Sequence, residues 1–292
     1  MPSPEHEAVV AMVQSSPPGA GSIEESRAGF DAMLMATPVP DDATIEELTL
    51  GNVNADWVSV PESDDNRVIL YFHGGGYVIG SNVGYREFAA RLARATRARV
   101  LLLNYRLAPE NPFPAAVDDA VMAYRWLLNE GVAAERIMIA GDSAGGGLTI
   151  AALVALRDAG ETLPACATCF SPWVDLTGSG DSAKPGAVDD PMVGSEGLQD
   201  MSRTYAGDDL RNPLASPLYA DLSSLPPTLV FVGTREILLN DATRIVDNAR
   251  AAGVDTSLNV GEGLIHVWQL FAVPEAAESL TQVGSFIAKH VP

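Results

Sequence analysis

The stretch Arg136-Ile137-Met138-Ile139-Ala140-Gly141-Asp142-Ser143-Ala144-Gly145-Gly146-Gly147 runs from a short apolar segment into a glycine-crowded turn, and a helix-like segment, Leu148 to Ala159, follows. It reads as strand, tight turn and helix, with one serine at the apex. A G-x-S-x-G arrangement needs glycine on both sides because the serine sits on a strained turn that side chains would crowd. The hydroxyl is thereby pushed out above the sheet. Taken alone, the pattern suits a helix-capping turn as well as a nucleophile. A second glycine loop, His73-Gly74-Gly75-Gly76-Tyr77, ends another apolar run, Val68 to Phe72, 70 residues upstream.

Outward from these two loops, β-rich runs alternate with helical patterns. Arg67–Phe72 precedes Arg86–Thr96, Arg99–Asn104 precedes Ala115–Asn129, and after Arg136–Ala140 and its helix comes Ala165–Phe170. Pro227–Val232 precedes Asp241–Ala252, and Thr256–Val260 precedes Glu275–Lys289. Alternation at this spacing predicts an α/β fold, a mostly parallel sheet with helices on both faces. The continuous apolar run Val100–Leu103 suits a strand buried on both sides. Two regions break the rhythm. Residues 1–45 carry helical patterns at Pro4–Gln14 and Ile23–Ala36 around the linker Ser15–Ser22; residues 177–217 are rich in Gly, Ser, Asp and Pro, with a short helix near Gly197–Tyr205. Long departures of this kind are commonly lids. We expect a helical cap from residues 1–45, and a catalytic domain over 46–292 whose 177–217 segment contributes to the cap.

The chain has 292 residues, 47% of them hydrophobic, enough for a sizeable single core. Its net charge is −20, and Lys184 and Lys289 are its only lysines. So acidic a surface repels nucleic acid and anionic membranes and leaves neutral small molecules as partners. The start, Met1-Pro2-Ser3-Pro4-Glu5-His6-Glu7, lacks a signal peptide's basic head and apolar core, and no run approaches the ~20 apolar residues that span a bilayer. A cytoplasmic protein without membrane insertion is expected. Cys166 and Cys169 have C-x-x-C spacing but lie in a strand-like run, where residues three apart face opposite sides. Core thiols are expected, with no metal site.

A serine hydroxyl is a poor nucleophile at neutral pH and needs a base within reach. Of four histidines, His6 and His290 lie near the termini and His73 belongs to the glycine loop, which leaves His266, just past the last strand. That is a carboxyl end of the sheet, the side on which Ser143 emerges and ligands bind. The histidine in turn needs a carboxylate. Glu236 follows the strand ending at Gly233 by three residues and precedes His266 by 30. The order serine, acid, histidine is that of the α/β-hydrolase fold. Asp241 is the rival acid, but it falls in the first turn of the next helix, where the helix dipole already favours a carboxylate. Acyl transfer also needs donors for the developing oxyanion. Backbone amides of Gly74, Gly75 and Gly76, with that of Ala144, are the candidates. Asp142, beside the serine, cannot reach across the imidazole and reads as structural.

With these residues in place, the chain resembles the hormone-sensitive-lipase-like esterases of bacteria from about residue 65 to its end. The likeness rests on the loop His73–Tyr77, Asn104–Glu110, Pro112–Ala115, the Gly141–Gly146 elbow, Ser171-Pro172-Trp173, Asp190-Pro191-Met192, Ser216-Pro217-Leu218 and the His266 segment. It is most similar to the branch holding the monoterpene ε-lactone hydrolases and related carboxylesterases, through Gly233–Asp241. The resemblance implies hydrolysis of carboxylic esters of short to medium acyl chains through an acyl-enzyme, without metal or organic cofactor. It implies Ser143 as nucleophile, His266 as base and then acid, Glu236 as orienting acid, and a cap built largely from the amino terminus. Many relatives carry aspartate where Glu236 stands; glutamate's extra methylene then requires a backbone offset. Homodimers are common in the family. Phe30, Met33, Trp173, Met192 and Tyr205 are candidates for lining the substrate pocket. A lactonase would use the same triad. A non-catalytic binding protein on this fold is disfavoured by His266, and a peptidase by the lack of propeller-like repeats.

Overall fold

The computed structural model describes residues 1–15 and 21–292, so most of the expected linker Ser15–Ser22 lies outside the described residues. Eight strands form one sheet in the order β1-β2-β4-β3-β5-β6-β7-β8. They are β1 (Thr44–Leu50), β2 (Val53–Ser59), β3 (Asp64–Phe72), β4 (Ala98–Leu103), β5 (Ile137–Asp142), β6 (Cys166–Phe170), β7 (Thr228–Arg235) and β8 (Thr256–Ile265). The helices are α1 (Pro4–Ser15), α2 (Ile23–Leu34), α3 (Arg86–Thr96), α4 (Ala115–Asn129), α5 (Ala144–Asp158), α6 (Ser195–Ala206), α7 (Leu239–Ala251) and α8 (Pro274–His290). Every pairing from β4 to β8 is parallel.

Side chains alternate across the sheet and divide the core in two. From β3, Val68, Leu70 and Phe72 join a cluster with α4, α5 and α7, while Ile69 and Tyr71 join one with α3 and α8. The two cysteines of β6 follow the same rule: Cys169 belongs to the first cluster and Cys166 to the second, both as buried free thiols. Burial pushes the Cys166 thiol up to about 12 and raises that of Cys169 as well.

The amino-terminal region departs from expectation. The β rhythm begins before residue 46, with β1 and β2 pairing antiparallel to each other and β2 antiparallel to β4. β1 is a mostly exposed edge strand, TIEELTL, whose polar composition hides the apolar alternation on which strand recognition relies. The better signal is the two-residue turn Gly51-Asn52, closed by the Leu50–Val53 pair with Gly51 at φ 64°. A second departure is that α5 begins at Ala144 rather than Leu148, so the glycines after the elbow are helical. A Cβ at Gly145 would lie 2.0 Å from the Phe72 carbonyl oxygen. The glycine run thus lets the first turn of α5 lie against the end of β3.

Three helices reach the rim where the parallel strands end. Ser3, preceding α1, donates to Glu275 through its amide (2.5 Å) and hydroxyl (2.9 Å), and His6 Nε2 accepts from the Ile265 amide at 3.4 Å. α2 opens with a capping box between Ser22 and Glu25. Its Arg27 grips Glu110 with two hydrogen bonds of 2.8 and 2.7 Å and also reaches the Val78 and Ala108 carbonyls. α6 sets Met201 against Gly76. Among the described residues no helix is long and apolar enough to cross a membrane.

Candidate active site

Ser143 lies between β5 and α5 with φ 51° and ψ −119°, a conformation that L side chains rarely adopt. Its amide donates to the Phe170 carbonyl at 2.8 Å, and its carbonyl accepts from the Gly147 and Trp173 amides at 3.0 and 2.9 Å. These bonds hold a strain worth roughly 1–3 kcal/mol. The result is selective exposure: Ser143 keeps 9% of its surface while Asp142 keeps 1% and Ala144 none.

The HGGG loop approaches through a network centred on Asp142. The carboxylate accepts from the Tyr71 and Tyr85 hydroxyls at 2.9 and 2.8 Å, and the Tyr85 oxygen accepts the Gly74 amide at 3.0 Å. Burial pushes the Asp142 carboxyl up to about 6, against the pull of the two tyrosine bonds. The Gly74 amide is therefore occupied, which removes Gly74 from the expected oxyanion donors. The amides of Gly75, Gly76 and Ala144 make no hydrogen bond among the described residues. Gly75 and Gly76 turn with φ 109° and 61°, and a Cβ on Gly76 would meet Met201 Sδ at 2.2 Å.

His73 holds this loop from behind. Its ring stacks on Tyr105 with centroids 4.3 Å apart, its Nδ1 lies 2.7 Å from the Gly74 carbonyl, and Tyr105 donates to the His73 carbonyl at 2.8 Å. Burial pulls its pKa down to about 4, so the ring is neutral and Nδ1 carries the proton that Gly74 accepts. Tyr85→Phe removes a donor from buried Asp142 and the acceptor of the Gly74 amide. We expect a loss of about 1–3 kcal/mol in unfolding free energy, and about tenfold in kcat as the loop loosens. Urea titration and ester turnover measure the two; an unchanged urea midpoint counts against the network.

The remaining groups meet across the last two strands. β7 and β8 are in parallel register up to Gly233–Gly261, then shift so that Arg235 faces Ile265. This offset brings the next residues together: Glu236 Oε2 lies 2.6 Å from His266 Nδ1. Glu236 Oε1 accepts from Ser171 Oγ at 2.8 Å and from the Gly233 amide at 2.5 Å. Glu236 is wholly buried and His266 retains 4% exposure. Burial alone depresses the His266 pKa, but the Glu236 bond and charge, with the charges of Asp190 and Asp142, outweigh it and leave the pKa raised. Asp241 is engaged elsewhere, accepting the Val174 and Asp175 amides at 2.9 Å each.

The chain is similar to several known hydrolases. The family profile for the alpha/beta hydrolase fold matches residues 69–270. An acetyl-hydrolase of Streptomyces hygroscopicus is 41% identical over 91% of this chain and 90% of its own, and an esterase of Acinetobacter venetianus is 32% identical over 88% and 86%. A crystal structure of an esterase from the bacterial hormone-sensitive lipase family superposes with a TM-score of 0.96 at 46% identity, covering all of both chains. The chain belongs to the hormone-sensitive-lipase family of α/β hydrolases. It is a carboxylesterase-family enzyme.

Within this hydrolase, the residues expected to line the pocket divide. Trp173 and Tyr205 are each 1% exposed and belong to the core. Tyr205 stacks on Tyr77 at 3.8 Å and Trp173 tilts against Tyr77 at 6.1 Å, so mutual packing takes the faces that a substrate would need. Phe30 and Met192 are half-buried against the α3/α8 core, and Met33 is half-buried on α2. Two polar residues escaped assignment although their motifs stood out. Ser171 contacts the acid directly, and Asp190 Oδ2 accepts the Ile237 amide at 3.0 Å, next to Glu236. Met201 was findable from helix spacing, since Leu198, Ser202 and Tyr205 mark the buried face of α6 beside it.

Proposed function

We propose that the protein hydrolyses carboxylic esters of short to medium acyl chains through a covalent acyl-enzyme on Ser143. The observation that carries this is the His266 Nδ1–Glu236 Oε2 bond of 2.6 Å, which orients the imidazole on the rim where Ser143 is raised. With Nδ1 donating to Glu236, His266 Nε2 is free to accept the Ser143 proton as the oxygen attacks the ester carbonyl. The resulting oxyanion is received by the amides of Gly75, Gly76 and Ala144. Nε2 then protonates the departing alkoxide, and the alcohol leaves an ester on Ser143. Water repeats the sequence: His266 takes its proton, hydroxide attacks, and Ser143 departs with the proton returned. The acetyl-hydrolase relative supports a small acyl group. Ring opening of an ε-lactone would use the same steps.

Helices α1 and α2 and residues 177–217 act in this scheme as a cap over the strand ends, with α2 resting on the 78–84 loop and α6 on Gly76. The net charge of −20 disfavours anionic substrates and suits neutral esters.

Base catalysis requires neutral His266, whose pKa is raised. Activity is therefore expected to fall on acidification through an apparent pKa above 6.5, the ordinary histidine value. A pH profile of kcat/KM measures it, and an acid limb centred below 6.5 contradicts the electrostatics. The deciding experiment is labelling with a fluorophosphonate followed by peptide mass mapping, with p-nitrophenyl esters of two to ten carbons and ε-caprolactone assayed in parallel. Adduct on Ser143, with turnover greatest on the shorter esters, is the expected result. Adduct elsewhere, or turnover that survives full labelling, sinks the proposal.

A further inference from the structure

Ser171 is the first residue beyond β6, and the proposed chemistry leaves it without a role. It is wholly buried and has φ 46°, a left-handed conformation in which glycine would sit without strain. Its amide donates to the Phe231 carbonyl of β7 at 2.7 Å, which fixes its backbone to the strand that leads into Glu236. Its hydroxyl makes two bonds: 2.8 Å to Glu236 Oε1 and 3.1 Å from the Val267 amide. Val267 immediately follows His266 and is itself strained, with φ 45°.

The direction of both bonds is forced. A backbone N–H can only donate, so a lone pair of the hydroxyl receives Val267, and its single proton is directed at Glu236. The other donor to Oε1, the Gly233 amide, lies three residues before Glu236 in the chain and cannot fix the acid relative to the histidine. Ser171 touches the acid and the residue bonded to the base at once. Strain at two neighbouring non-glycine positions points to a function that compensates for it.

We propose that Ser171 is a positioning residue of the ester hydrolase, its hydroxyl aiming Glu236 Oε2 at His266 Nδ1 by bridging the acid to the backbone that carries the base. This rests on the assignment of Glu236 and His266 above.

The test uses Ser171→Ala and Ser171→Gly, each alone and combined with Glu236→Ala, in the full-length protein. Glycine relieves the left-handed backbone and alanine does not, yet both remove the hydroxyl. Both single variants are expected to lose about tenfold or more in kcat/KM. The acid limb of the pH profile is expected to move to lower pH, because an imidazole that loses its aimed carboxylate is left with the burial that disfavours its charge. In the Glu236→Ala background the same substitutions should change kcat/KM by less than twofold. A glycine variant with wild-type turnover, an acid limb that stays or moves to higher pH, or an undiminished effect without Glu236 overturns the proposal. The triad assignment fails separately: if Glu236→Ala alone keeps wild-type kcat/KM, Glu236 is not the acid.

Discussion

Ser143→Ala is expected to lower kcat/KM on p-nitrophenyl butyrate by on the order of 10⁴-fold or more, with little change in folding. The size follows from how the groups act together. In the proposed mechanism no acyl-enzyme forms without the hydroxyl, and His266, Glu236 and the proposed oxyanion amides can only assist direct attack by water, which lacks the serine's fixed position. The fold should tolerate the change because the strain at Ser143 lies in the backbone, held by the bonds to Phe170, Gly147 and Trp173 that alanine preserves. Ser143→Gly sharpens the expectation. Glycine accepts φ 51° without strain, so this variant should be equally inactive yet melt at a higher temperature than Ser143→Ala. Turnover and differential scanning calorimetry on the pair measure both. An active Ser143→Ala that retains its fold removes the nucleophile assignment.

Glu236→Gln and Asp241→Asn should separate by about two orders of magnitude or more in kcat. Glutamine keeps the shape but presents no charge, so the imidazolium formed during attack loses its counter-charge and the Nδ1–H tautomer is no longer imposed. Asp241 accepts the Val174 and Asp175 amides and, among the described residues, makes no hydrogen bond to Glu236 or His266, so its change should leave turnover near normal. Its signature lies in stability. Burial drives the Asp241 carboxyl up to about 8, against the pull of the Val174 amide. A carboxyl whose folded pKa is raised keeps its proton while the unfolded chain gives it up. The native protein should therefore lose stability as pH rises from the ordinary carboxylate value of 3.8 towards about 8. Asp241→Asn should flatten that slope, as urea midpoints at pH 5 and pH 8 will test. Near-normal turnover of Glu236→Gln beside an inactive Asp241→Asn reverses the assignment of the acid.

The parallel body of the fold was legible because its strands are short apolar runs bounded by glycine loops, and the order Ser143, Glu236, His266 follows from where those runs end. Residues whose position depends on another strand's register were not legible. Glu236 meets His266 only because β7 and β8 slip past Gly233, and no local pattern encodes that slip. The Gly74 amide looks as available as those of Gly75 and Gly76 until Tyr85, 11 residues away, is folded over it. β1 was lost because an exposed edge strand carries charge where a buried one carries valine. Aromatic character and a place in the cap or near the elbow point Trp173 and Tyr205 at a pocket, whereas both pack on Tyr77 inside one core.

Cys166 and Cys169 sit on opposite faces of β6, each sealed in its own half of the interior. Both thiols are buried in the folded protein, and burial raises their pKa and so disfavours the reactive thiolate. Alkylation of this chain therefore clocks opening events, with one reporter for the α3/α8 side and one for the α4/α5 side. Equal rates would mean that the sheet loses both coverings together; unequal rates would reveal which covering peels first.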